Sequence, residues 1–126
     1  MTLTKQKTCK DLVNESYDLL LDEWNKVIDK KFIDDENESL FDYVNQSKLS
    51  FEFVKADTFT DQKVGYYRLQ LSYGGPSTEF RIYTDKDLNI HHVEYWYLDW
   101  FDGASIKIYS STVLEILNQF LELESV

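Results

Sequence analysis

The stretch Gly65–Tyr83, GYYRLQLSYGGPSTEFRIY, alternates apolar and polar side chains on both sides of a Gly-Gly-Pro-Ser turn. Apolar residues fall at Tyr67, Leu69, Leu71 and Tyr73, then at Phe80 and Ile82. That period of two places one set of side chains on one face of a strand. Gly tolerates a positive φ and Pro76 has a fixed one, so Gly74–Ser77 reads as a tight connection. A connection this short makes the two strands antiparallel neighbours, because a parallel pair needs a crossover of a dozen residues or more. The same alternation appears upstream at Leu49, Phe51 and Phe53, and downstream at Val93, Tyr95 and Tyr97. TDKDLN, Thr84–Asn89, supplies the turn before the downstream strand. A fifth short strand is expected near Ile106–Tyr109, after a turn at Asp102-Gly103. The sheet is therefore a meander of four to five strands.

Outside the sheet the period becomes helical. Val13, Tyr17, Leu20, Trp24, Val27 and Ile28 stripe one side of a helix between Cys9 and Phe32. A short helix around Ser39–Gln46, with Ser39 as N-cap, buries Leu40, Phe41 and Val44. A last helix carries Val113, Ile116, Leu117, Phe120 and Leu121 inward, with a capping box expected at Thr112–Glu115. No repeat, low-complexity tract or linker divides residues 1–126, and the chain reads as one domain. The fold class is α+β: a twisted antiparallel sheet with the amino- and carboxy-terminal helices packed on one face. Trp96, Leu98 and Trp100 alternate with Tyr95, Tyr97 and Phe101, so the fourth strand is aromatic on both sides. Helices on one face leave the other to be shielded by loops, by the short helix or by a partner.

Composition narrows the function. Against 13 Lys+Arg stand 23 Asp+Glu, a net charge of −10, which repels phosphate backbones and anionic lipid and attracts basic surfaces. Direct nucleic-acid binding is not expected. The amino-terminal MTLTKQKTCK runs into the charged DLVNESYDLL with no signal-peptide apolar stretch, and no apolar run approaches twenty residues. With a single cysteine, Cys9, the reading is a reducing cytoplasm, with no membrane span.

No catalytic pattern accompanies this charge. Glu94, Asp99 and Asp102 lack an Asp-x-Asp-x-Asp-Gly frame, and Glu94 and Asp99 fall on opposite faces of a regular strand. His91 and His92 are adjacent and point to opposite faces. Cys9 has no nucleophile signature around it, and Gly74–Ser77 has no phosphate-loop frame. The expectation is a protein that is not an enzyme, with no metal and no cofactor.

The anions are grouped: seven acids and one base between Asp87 and Val126, five acids and no base between Ile33 and Ser47. Carboxylates two apart on a strand lie about 6.6 Å apart and those three or four apart on a helix about 5–6 Å. Both spacings approach that of phosphates along one nucleic-acid strand. Glu94–Ala104, EYWYLDWFDGA, interleaves five aromatics with three carboxylates and no basic side chain. Tyr and Trp anchor interfaces because they bury a large rigid area at small rotamer cost.

GYYRLQLSYGGPSTEFRIY followed by HHVEYWYLDWFDGA, His91–Ala104, resembles a signature of small acidic proteins carried by bacterial plasmids and phages, among them anti-restriction and anti-CRISPR proteins. The similarity covers the sheet and not the amino-terminal helix. It implies a non-catalytic inhibitor of a host defence nuclease of the type II RNA-guided class, acting on the nuclease or its guide-RNA complex. Such nucleases offer basic channels for guide and target. The expected interface comprises Glu94, Asp99 and Asp102 as partners for Arg and Lys, with Trp96, Tyr97 and Trp100 as anchors. They would exclude guide RNA or target DNA. The alternative is a homodimer closed through the aromatic sheet face, with acidity serving solubility.

Overall fold

The computed structural model describes residues 8–34, 39–74, 76–99 and 102–124. In chain order the elements are α1 (Cys9–Asp34), α2 (Leu40–Ser47), β1 (Ser50–Val54), β2 (Tyr66–Ser72), β3 (Ser77–Thr84), β4 (Ile90–Asp99), β5 (Asp102–Lys107) and α3 (Ser111–Glu124). The five strands form one antiparallel sheet in the order β1-β2-β3-β4-β5, the meander that the short turns dictate.

One face of the sheet meets the helices. Leu69, Phe80, Ile82, Val93 and Tyr95 point into a core completed by Val13 and Trp24 of α1, Leu40 and Val44 of α2, and Val113, Ile116, Leu117, Phe120 and Leu121 of α3. α1 lies against β4 and β5. Its Trp24 ring sits 5.9 Å from Phe80, and Tyr17 stands 5.4 Å from Tyr95. Phe120 of α3 reaches Phe41 at 4.8 Å and Phe51 at 5.2 Å, closing the β1 side. Ser39 caps α2, as expected, and does so in a capping box with Asp42.

Two local expectations need correction. β5 begins at Asp102 rather than Ile106, and Asp99 pairs directly with Asp102; Trp100 and Phe101 lie outside the described residues. Asp102-Gly103 opens a strand, with Gly103 paired to Leu98, where an added Cβ would lie 2.8 Å from Leu98 Cδ2, the movable end of that side chain. The cap of α3 is Ser110, whose hydroxyl accepts the Val113 N–H at 3.4 Å and whose carbonyl accepts from Leu114. The Thr112–Glu115 box is therefore two residues out of register, and Thr112 sits inside the first turn.

The second sheet face carries no described helix. It presents Glu52, Tyr66, Arg68, Gln70, Glu79, Arg81, Tyr83, His92, Glu94 and Trp96 by strand alternation. Of the three covers considered from sequence, a loop supplies the partial wall: Phe59–Val64, from the β1–β2 connection, flanks this open face around a cavity of about 680 Å³.

Candidate functional site

The amino-terminal end of α1 is tied to the β4–β5 hairpin. Thr8 is the first cap, its carbonyl accepting from Leu12 and its N–H donating to Asp11 Oδ2 at 2.9 Å. The next N–H, that of Cys9, would have no helical partner. It donates instead to Asp102 Oδ2 at 2.9 Å, across 93 residues of sequence. An anion at a helix amino terminus is also favoured by the helix dipole. Asp102, expected in an exposed partner-facing turn, is thus exposed but committed to holding α1 on the sheet. The backbone N–H and thiol of Cys9 hold its carboxyl below the ordinary 3.8.

The sign of that shift predicts a pH dependence. A carboxyl with a depressed folded pKa contributes stability above its unfolded value, and loses it as pH falls through the folded one. Asp102→Asn should therefore melt below wild type near neutral pH, and the gap should close below about pH 4. Paired thermal melts across that range check it; a gap constant with pH contradicts it.

Cys9 itself is buried, with its thiol pushed up by burial and then by Asp102. That is the reverse of an activated nucleophile. It lies by Asp99 and Asp102, whereas His92 sits seven residues back along β4, about 23 Å away. Among the described residues no group of three or more His, Cys, Asp and Glu is arranged to hold a metal ion. No described helix is long and apolar enough to cross a membrane.

Of the six residues expected at the interface, the five described do not form one exposed strip. Tyr97 points to the covered side, half-buried against the core, and Asp99 is half-buried beside Cys9. Trp100 lies outside the described residues. Glu94 and Trp96 do share the open face, two positions apart, with Trp96 Nε1 donating to Glu94 Oε1 at 3.0 Å. His92 adds a 3.7 Å contact to the same carboxylate, which is 20% exposed. Burial and the adjacent Glu94 push Tyr83 up to about 12. Glu94 is thus already engaged by its neighbours.

Around Trp96 the open face holds a cluster that no sequence motif announces. The Arg81 guanidinium lies 4.0 Å from the Trp96 ring centroid and 5.0 Å from that of Tyr66, a cation held between two aromatic faces. Arg81 Nε donates to Glu79 Oε2 at 2.8 Å, and Glu79 is 2% exposed. Arg68, next to Arg81 across the strands, pairs outward with Glu52. The cues in sequence were the alternations Tyr66-x-Arg68-x-Gln70 and Glu79-x-Arg81-x-Tyr83, which place polar groups opposite Leu69, Phe80 and Ile82.

The largest ordered array of charge is on α1. Asp11, Glu15, Asp18, Asp22 and Asp29 are all exposed. At 3.6 residues per turn they fall within an arc of roughly 60°, opposite the buried stripe of Val13, Leu20 and Trp24. The row extends about 27 Å along the helix. Successive members are three or four residues apart except for the last step, where Asn25 and the exposed Lys26 stand between Asp22 and Asp29.

No protein-family model, curated protein or solved structure matches the chain.

Proposed function

We propose that this protein is a non-catalytic inhibitor of a bacterial defence nuclease of the type II RNA-guided class, and that it works by presenting carboxylates where the nuclease expects phosphates. The observation that carries the reading is the α1 row: Glu15, Asp18 and Asp22, exposed and spaced by about one helical turn, continued by Asp11, which also accepts from Thr8, and by Asp29 two turns on. A guide or target strand presents its phosphates at a similar interval. Because the helix is anchored by Trp24 in the core and by Asp102 at its end, the row is preorganised, and docking costs little ordering entropy.

This moves the expected contact surface. The β4–β5 segment contributes less than its composition suggests, since Tyr97 and Asp102 support the fold and Glu94 is engaged by Trp96 and His92. The net charge of −10 steers the protein toward basic channels and away from nucleic acid. The resemblance of the sheet to anti-defence proteins is what points the reading to a nuclease of the bacterial cytoplasm as partner. The inhibitor blocks guide loading or target entry by occupying the channel, with no bond made or broken.

A cleavage assay tests this reading. Purified protein added to a type II nuclease before guide or target should suppress cleavage in proportion to complex formed. Undiminished cleavage across type II nucleases, at concentrations well above those of the enzyme, contradicts the reading.

A further inference from the structure

Two buried donors on the open face have no acceptor. Tyr66 is 2% exposed, and its hydroxyl finds no hydrogen-bond partner among the described residues; Arg68 Nε is in the same position. Such groups are rare, because an unpaired buried donor forfeits its hydration without return. They lie two apart on one face of β2, and both residues line the cavity of about 680 Å³. That volume falls in the range of small-molecule sites.

The surrounding charges and walls define what fits. Arg68, Arg81 and Lys63 place three cations on the cavity, and Asp61, Glu79 and Glu94 place as many anions there, which limits how much negative charge it accepts. Phe59, Val64 and Leu98 provide apolar wall. Phe59 and Val64 are otherwise exposed side chains, 50% and 62%. We propose that the open face is a binding site for a small monocarboxylate with an apolar body, its carboxylate accepting from the Tyr66 hydroxyl and Arg68 Nε and its body lying on the Phe59–Val64 wall. This site is separate from the α1 row and does not depend on it.

Entry requires one rearrangement. Neither donor touches solvent in the present arrangement, and the Arg68 guanidinium is paired with Glu52. Glu52 is half exposed, and surface pairs contribute little stability, so an incoming carboxylate replaces that of Glu52 at small cost. Glu52 therefore competes with the ligand for Arg68, and removing its charge should tighten binding.

Benzoate is a suitable probe, titrated into the ¹⁵N-labelled protein while the Arg68 Nε–H resonance is followed. A saturable downfield shift is expected. Tyr66→Phe, which keeps the ring beside Arg81, should weaken benzoate about tenfold, the loss of one hydrogen bond to a charged acceptor. Glu52→Gln should strengthen it severalfold. Inorganic phosphate, more highly charged and without an apolar body, should bind more weakly than benzoate. No saturable shift up to about 20 mM, beyond the millimolar floor of specific binding, overturns the site. So does equal affinity in Tyr66→Phe, or an unchanged affinity in Glu52→Gln, which tests the same point on an exposed residue should Tyr66→Phe not fold. Phosphate binding as tight as benzoate overturns the assignment to a monocarboxylate.

Discussion

Trp24→Ala is expected to cost about 3–5 kcal/mol of folding stability, the range for truncating a buried tryptophan. Trp24 is 2% exposed, mid-way along α1, and packs on Phe80 at the centre of the sheet. The indole is the bulkiest of the fully buried side chains, and its removal leaves a space that Leu20, Leu21 and Tyr17 cannot all move to fill, since each already packs against that core. A domain of this size has only about 5–15 kcal/mol to lose, so the variant should melt far below wild type. Urea denaturation measures the change; a midpoint within experimental error of wild type would mean that α1 is not held by this face.

The second large effect is on binding. Asp18→Lys together with Asp22→Lys reverses two charges in the middle of the α1 row, on side chains that are exposed and opposite the core. Stability should change little, as for most exposed surface substitutions. Affinity for the nuclease should fall about 100-fold or more, because each reversal replaces an attraction with a repulsion against a basic surface. The matching double change at Asp99 and Asp102 should look different: Asp102→Lys removes the acceptor of the Cys9 N–H and sets a cation at the α1 amino terminus. That variant should lose thermal stability as well.

Most of the architecture could be read before any coordinates. Helix α1 and helix α3 announce themselves by a 3.6-residue apolar stripe, and the meander follows from the period of two and from turns too short for a crossover. The errors are local and physical. Asp102-Gly103 has the composition of a turn, but both residues pair across to β4, Asp102 with Asp99 and Gly103 with Leu98. Thr112 and Glu115 have the spacing of a capping box, but Ser110 reaches the free N–H first.

The site was less legible, because it depends on neighbours across strands. EYWYLDWFDGA is dense in acids and aromatics, yet strand alternation sends Tyr97 inward and Trp96 outward, and the helix end claims Asp102. Arg81 comes to rest between Tyr66 and Trp96 only because β3 lies between β2 and β4, a fact of register that linear spacing does not carry. The α1 row, by contrast, is written in the sequence as a three-and-four repeat of acids. It is easily passed over as the solvated side of an amphipathic helix.

The salt dependence of nuclease binding tests the central claim most directly. If the α1 carboxylates stand in for phosphates, the dissociation constant should rise steeply between about 50 and 500 mM salt, and the Asp18→Lys, Asp22→Lys variant should show a shallower dependence. Binding that is equally tight at both salt concentrations, and equally tight in the variant, would contradict a phosphate-mimicking row on α1.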